Sequence, residues 1–257
     1  MRPLVMGVLN VTPDSFSDGG RFFSHDAAVA HGLGMAAEGA DIVDVGGESS
    51  RPGAEPVDEP EELRRVIPVI EALAARVRVS VDTTKASVAK AAVRAGATLV
   101  NDVSASLHEV AAAEGVGWVA MHMRGTPRTM QDDPRYDDVV GEVGAFLDER
   151  AEKALAAGVS EVWVDPGIGF GKTAGQNLIL LRHIGRLVAR GHPLMIGTSR
   201  KRFLDRLTAG EPGPLPPDQR LEGSLATAGW ARATGAGMVR VHDVAATLQA
   251  AKVVGET

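Results

Sequence analysis

Short runs of apolar and β-branched residues recur along the chain, and between them lie longer stretches whose apolar positions fall at helical spacing. The short runs predict eight strands: Leu4 to Leu9, Ile42 to Val45, Val77 to Val81, Thr98 to Asn101, Trp118 to Met121, Val162 to Val164, Leu194 to Gly197 and Met238 to Val241. The longer stretches predict eight helices, near Asp26 to Glu38, Glu59 to Arg76, Lys85 to Ala95, Leu107 to Ala113, Tyr136 to Ala157, Asn177 to Arg190, Leu221 to Thr234 and Val244 to Val254. Most strand runs are apolar almost throughout, as parallel strands buried on both faces should be. Several helical stretches end in a glycine just before the next strand, at Gly39, Gly96, Gly158 and Gly235. Glycine there suits the left-handed position that stops a helix and turns the chain back. The recurring unit is strand, loop, helix, glycine stop, and it has no fixed sequence period.

Strands alternating with helices over 257 residues predict an α/β fold, a (β/α)8 TIM barrel of eight parallel strands that takes up residues 1–257 as a single domain. That length is also close to the limit of one hydrophobic core. The structural rival is an open doubly wound sheet. Against it, the first strand leads into a long polar loop, Asn10 to Ser24, where a dinucleotide fold would place a compact G-x-G-x-x-G turn. The Gly-rich peptide Gly167 to Lys172 (GIGFGK) lacks both the Walker spacing and a Lys-Ser/Thr pair, and reads as a substrate-lining loop.

Composition narrows the chemistry. The chain is 44% hydrophobic but only 4% aromatic, so its core must be aliphatic and Ala-rich. A net charge of −6 gives no electrostatic footprint for nucleic acid or an anionic membrane, and any anion site must be a local pocket. With no Cys there is no disulfide framework, thiolate nucleophile or Cys-ligated metal. That fits a reducing compartment, and the cytoplasm is the expectation. Met1-Arg2-Pro3 runs into an apolar segment of about six residues, too short for a secretory signal or a membrane span.

Each predicted strand is followed at once by a residue capable of chemistry or polar recognition: Asn10; Asp44 with Glu48 and Ser50; Asp82; Asn101 and Asp102; His122; Asp165; Ser199, Arg200 and Lys201; Arg240 and His242. In a barrel these converge on one rim. Taken singly, an Asp after a strand often caps the next helix and an Asn often turns a loop, but capping does not account for the whole set. Two poles emerge. Lys201, Arg240 and His242, with backbone N–H groups where the last helix begins near Asp243, can bind a polyanion. Asp82, Asn101 and Asp165 suit a flat, nitrogen-rich ring whose N–H groups need partners. Together they predict a small-molecule substrate, a heterocycle bearing a phosphate. Asn10 can lend its carbonyl oxygen to Mg²⁺, which keeps most of its waters and bridges phosphates; a loop hydrogen bond accounts for Asn10 equally well. His122 reads more simply as a packed, hydrogen-bonded histidine than as a ligand or base. His25, His31, His108, His183 and His192 fall on helices or surface loops and are given no role. Neither an H-E-x-x-H spacing nor a G-x-S-x-G elbow occurs.

Eight peptides carry a resemblance to a known family. They are Met6 to Gly20 (MGVLNVTPDSFSDGG), Asp44 to Gly53 (DVGGESSRPG), Ser80 to Thr83 (SVDT), Val100 to Val103 (VNDV), Met121 to Pro127 (MHMRGTP), Asp165 to Lys172 (DPGIGFGK), Ser199 to Phe203 (SRKRF) and Arg240 to Val244 (RVHDV). In these, and in their order, the chain resembles the dihydropteroate synthases, the sulfonamide targets of folate biosynthesis. The resemblance implies condensation of 6-hydroxymethyl-7,8-dihydropterin diphosphate with p-aminobenzoate, giving 7,8-dihydropteroate and pyrophosphate. It implies Asp82, Asn101, Asp165 and Lys201 as pterin ligands, with Val103 and Met121 as apolar walls. Asn10, Ser50, Arg240 and His242 would hold the diphosphate, with Mg²⁺ at Asn10. Phe170, Lys201, Arg202 and Pro52 would border the aminobenzoate, beneath loops carrying Thr12 to Asp18 and Ser50 to Gly53. Arg51 and Gly197 complete the expected substrate-binding set, and Asp82, Lys201, Arg240 and His242 the catalytic one.

Diphosphate leaves well once neutralised, and the electron-rich dihydropterin can carry positive charge on its methylene, so a loose, SN1-like displacement follows. An arylamine is already neutral and nucleophilic, and needs no strong base. Arg202 stands where a small residue also occurs in the family. The Pro/Gly-rich linker Ala209 to Pro217 reads as a rigid connection. The resemblance also suggests a homodimer packed through barrel helices away from the site. The alternatives are a methyltransferase acting between methyltetrahydrofolate and a corrinoid protein, and a non-catalytic pterin-binding paralogue. The first needs the ring pole but not the diphosphate pole, whose residues are intact here.

Overall fold

The computed structural model describes residues 3–12, 25–49, 53–126, 128–206 and 215–253. The eight predicted strands all form: β1 (Leu4–Asn10), β2 (Ile42–Gly46), β3 (Arg78–Asp82), β4 (Leu99–Asp102), β5 (Gly117–Met121), β6 (Val162–Asp165), β7 (Met195–Ile196) and β8 (Met238–Val241). They pair in parallel in the order β6-β5-β4-β3-β2-β1-β8-β7, with β1 hydrogen-bonded to both β2 and β8. A parallel bridge between Val164 and Leu194 brings β6 to β7 and closes the ring. An open doubly wound sheet is thereby excluded. β7 is the shortest strand because Leu194 serves as that bridge and its carbonyl also takes the Gly237 and Met238 N–H groups, at 2.9 and 3.2 Å.

The helices are α1 (His25–Glu38), α2 (Glu59–Ala74), α3 (Ala86–Arg94), α4 (His108–Glu114), α5 (Val139–Ala156), α6 (Ala174–Arg182), α7 (Ile184–Val188), α8 (Leu221–Ala233) and α9 (Val244–Val253). The single helix predicted over Asn177 to Arg190 is therefore two. It starts earlier, at a capping box in which Thr173 and Gln176 exchange side-chain and backbone bonds, and it breaks at His183 (φ −110°, ψ 21°). The His183 Nδ1 lies 2.8 Å from the Ile179 carbonyl oxygen. All four predicted glycine stops adopt φ between +96° and +113°. At Gly39 the N–H of Ala40 donates to Met35 O and that of Gly39 to Ala36 O, both at 3.0 Å, the reversed pair of bonds that ends a helix. No helix among the described residues is long and apolar enough to cross a membrane.

Alternation along the strands sends one set of side chains into the barrel. Its middle is apolar, built from Met6, Ile42, Leu99, Val119, Met195 and Met238. The larger core lies between strands and helices and is aliphatic, with Trp118 the one aromatic ring among the fully buried large side chains of the described residues. A half-exposed charge pair lies at the N-terminal mouth. Arg78 at the start of β3 reaches across to Glu161 beside β6 (3.1 and 2.5 Å), and Glu161 also accepts from Trp163 Nε1 at 2.8 Å.

Asp102 does not belong to the rim chemistry expected of it. Its buried carboxylate turns into the β4–α4 connection and accepts from the backbone N–H groups of Ser104, Ser106 and Leu107 at 2.9, 2.6 and 2.7 Å, and from Trp118 Nε1 at 3.2 Å. Asp102→Ala leaves several buried donors without a partner and is expected to lower the unfolding free energy by about 3 kcal/mol or more in urea titration.

Candidate active site

Strand register sets the rim. Asp82 lies opposite Gly46 on one side and Asn101 on the other, Val8 opposite Asp44, and Met121 opposite Asp165. Asp44 and Arg240 stand lower on their strands than Asp82 and Asn101, and side-chain contacts rather than register gather them with Asp165 into one polar layer. At its centre is Arg240. Its Nε donates to Asp44 Oδ2 at 2.7 Å and its Nη2 to Asp82 Oδ2 at 2.8 Å, while Asn101 Nδ2 also donates to Asp44 Oδ2, at 2.9 Å. Asp44 is fully buried. The sequence marked it as a rim residue but gave it no task; a lone carboxylate inside the apolar run of β2 was the signal. Arg240, expected beside His242 at the anion pole, has its guanidinium in the carboxylate pole instead.

Desolvation decides the direction of the shift at Asp82, Asp165 and Lys201. Burial pushes the Asp82 carboxyl up to about 7, against the pull of Arg240 and with Asp44 adding to the rise. Burial likewise raises Asp165, opposed by Lys201 and by the Gly167 N–H that its Oδ1 accepts at 2.7 Å. Lys201 is brought down to about 8 by burial, with Asp165 opposing. For Arg240, burial works against the charge, but Asp44 and Asp82 outweigh it and raise the group further.

The β6–α6 loop forms the neighbouring wall. Gly167, Gly169 and Gly171 have φ of +64°, +88° and +61°, and a Cβ on Gly167 would fall 1.9 Å from His122 O. Only glycine fits there. Lys201 Nζ donates to Ile168 O and stands 4.6 Å from the centre of the Phe170 ring. At Gly197 a Cβ would fit in ordinary contact, 3.7 Å from both Arg240 Cβ and Lys201 Nζ and 3.9 Å from Asp165 Oδ2. On the β2–β5 side, a cavity of about 340 Å³ opens on Asp82, Val103 and Met121.

The remaining candidates are arranged around this layer. His242 Nδ1 lies 3.0 Å from Ser199 Oγ, which also accepts the His242 N–H at 3.1 Å. Arg200 has φ of +59° and forms a bidentate pair with Asp243 at 2.6 and 3.1 Å, tying the β7 and β8 loops together. Arg202 begins a 3₁₀ turn (Arg202–Arg206) and is exposed. His122 is packed as expected, edge-on to Phe146 with ring centres 5.0 Å apart. Ser50, Arg51 and Pro52, Pro127, and the first loop beyond Thr12 as far as Ser24 lie outside the described residues.

Comparison with known proteins bears on what this rim belongs to. The family described as pterin binding enzyme matches residues 6–242. A dihydropteroate synthase of Mycobacterium leprae is 50% identical over 98% of this chain and 92% of its own. The chain belongs to the dihydropteroate synthase family. Solved dihydropteroate synthases agree in structure. That of Yersinia pestis, in a sulfonamide drug complex, superposes with a TM-score of 0.91 at 45% identity, covering 98% of this chain and 93% of its own. That of Xanthomonas albilineans, with 4-aminobenzoic acid, gives 0.89 at 51% identity, covering 98% and 92%.

For a dihydropteroate synthase the question of metal falls on Asn10, the last residue of β1, which lies opposite Gly46. Among the described residues no group of three or more His, Asp or Glu side chains is placed to hold a metal ion. One neutral carboxamide oxygen fits a cation that arrives on a diphosphate and keeps its waters.

The raised Asp82 has a consequence for stability. Its folded-state pKa lies above its ordinary 3.8, so between that value and about 7 the folded protein holds more proton than the unfolded chain. Its contribution to stability therefore falls as pH rises through that window. Asp82→Asn is expected to flatten this slope in urea unfolding of the ligand-free protein at a series of pH values.

Proposed function

We propose that this chain condenses 6-hydroxymethyl-7,8-dihydropterin diphosphate with p-aminobenzoate, releasing pyrophosphate and forming 7,8-dihydropteroate for folate synthesis. The observation that carries the reading is the clustering of Asp82, Asn101, Asp165, Lys201 and Arg240, by hydrogen bonds and close charges, at the C-terminal ends of the strands. Asp82, Asn101 and Asp165 meet the N–H and amino groups of the pterin, Lys201 an acceptor of the ring, and Val103 and Met121 its faces. Gly197 leaves room for the ring edge. By the family resemblance Arg240, His242 and Ser50 are assigned to the diphosphate, and Arg51 to the substrate-binding set. Phe170, Lys201, Arg202 and Pro52 border the aminobenzoate.

The bond from the pterin methylene to the diphosphate oxygen breaks first, and its electron pair leaves with pyrophosphate. The cation left on the methylene is spread into the ring and opposed by the Asp82 carboxylate. The aminobenzoate nitrogen then donates its lone pair to that carbon, and its proton passes to water. Arg240 links the two poles: with ligand absent it neutralises Asp82 and Asp44, and when ring N–H groups take over Asp82 its guanidinium can turn toward the leaving group. Mg²⁺, held by Asn10 together with the diphosphate, would add positive charge to the leaving group. From the family we also take a cytoplasmic homodimer, with the site away from the subunit contact.

Pyrophosphate release by the purified protein should require p-aminobenzoate and Mg²⁺ together. No release with both substrates and the metal present would leave a non-catalytic pterin binder, and release independent of aminobenzoate would point to another acceptor. Gly197→Ala should leave the unfolding transition nearly unchanged, because the added methyl makes only ordinary contacts, yet weaken pterin binding by about tenfold or more in calorimetry.

A further inference from the structure

One buried cation is unused by that chemistry. Lys172, 2% exposed, closes the β6–α6 loop from within. Its Nζ donates to Phe170 O at 2.8 Å and Gly167 O at 2.9 Å, and stands 3.0 Å from His122 Nδ1 and 3.3 Å from His122 O. Burial lowers the Lys172 pKa to about 7, with Asp165 opposing; in the protonated form its three N–H bonds match the three nearer acceptors, and His122 then offers a bare Nδ1 and carries its proton on Nε2. Its surroundings keep it neutral, since burial first and Lys172 second bring its pKa down to about 3.

The other ties of this loop fall elsewhere. Asn177 Oδ1 accepts the Gly169 N–H at 2.8 Å, Gln131 Nε2 donates to Gly169 O at 3.1 Å, and Tyr136 Oη donates to Gly171 O at 2.9 Å. Lys201 takes Ile168 O. The carbonyls of Gly167 and Phe170 are left to Lys172, apart from the loop's own turn from Phe170 N to Gly167 O at 3.0 Å. Three left-handed glycines make the loop backbone easy to redirect, and converging carbonyl dipoles repel without a cation between them.

We propose that Lys172, oriented by His122, is a positioning residue: it sets the backbone at Gly167 and Phe170 so that the Phe170 ring faces the aminobenzoate beside Lys201. The inference rests on the assignment of Phe170 to the aminobenzoate in the proposed reaction. It gives His122 a task, that of a neutral acceptor for a buried ammonium. It also divides the two lysines by function, with Lys201 facing substrate and Lys172 facing only backbone and His122.

The test compares Lys172→Met, His122→Leu and His122→Asn with the wild type, in steady-state kinetics for both substrates and in calorimetric binding of the pterin diphosphate without aminobenzoate. Lys172→Met should raise the aminobenzoate KM by about tenfold or more, with kcat and pterin Kd within about threefold of wild type. His122→Leu should shift the same constant in the same direction by a smaller factor. His122→Asn should bring it back toward wild type, because a carboxamide oxygen can stand where Nδ1 does. If Lys172→Met does not fold, the His122 pair decides alone. An unchanged aminobenzoate KM in the folded Lys172→Met or His122→Leu protein, no difference between the two His122 variants, or a pterin Kd that rises by the same factor as the KM, overturns the assignment. A wild type that does not turn over would instead sink the synthase reading, so the two failures are distinguishable.

Discussion

Carboxylates set into a barrel interior otherwise made of Met6, Ile42, Leu99, Val119, Met195 and Met238 cannot stay charged without a cation against them. Arg240 is that cation. It comes from β8, spans to Asp44 on β2 and Asp82 on β3, and Asn101 on β4 completes the Asp44 side. Strands distant in sequence are thus held at their upper ends by one charge cluster, and the same cluster is the floor of the proposed pterin pocket. Stability and chemistry meet in these side chains. A buried Asp44 oxygen and the Ser80 hydroxyl have no hydrogen-bond partner among the described residues, so the layer is satisfied only in part. Polar pockets that await a ligand have this character.

The two mouths of the barrel treat charge in opposite ways. At the N-terminal end Arg78 and Glu161 pair across the mouth, with Trp163 and Thr98 taking further bonds, and the charges are consumed among themselves. At the C-terminal end burial lifts Asp165 and Asp82 and lowers Lys201, and it leaves Asp82 and Lys201 able to change partner near neutral pH. Barrel enzymes place loops and chemistry at this second face and stability at the first. The glycine-rich β6–α6 loop belongs to the same division: it is shaped from behind by Lys172 and faced by Lys201.

Much of this was legible in the chain itself, because strand hydrophobicity and glycine stops are local signals. All eight strands, the stops at Gly39, Gly96, Gly158 and Gly235, and the strand-end positions of Asp82, Asn101, Asp165, Lys201 and Arg240 follow from them. What escaped depends on contacts between distant segments. The break at His183 leaves the helical pattern of the sequence intact, and it shows only in the backbone there and in the imidazole beside Ile179 O. Asp102 has the position of a rim residue and the partners of a loop cap. Lys172 sits in a motif that could be seen, but its burial against His122 required β5 and β6 to be neighbours. Asp44 was visible as a carboxylate in an apolar strand, and only its partner on β8 gives it meaning.

In the proposed reaction the Asp82 charge both holds the ring and opposes the cation formed as diphosphate departs. The direct measurement is the rate of diphosphate release by Asp82→Asn at saturating substrate and Mg²⁺, in a single turnover. Asparagine keeps the shape and one acceptor oxygen and removes the charge. The rate should fall by roughly 10²- to 10³-fold, and release at close to the wild-type rate would rule out a cation-stabilising Asp82.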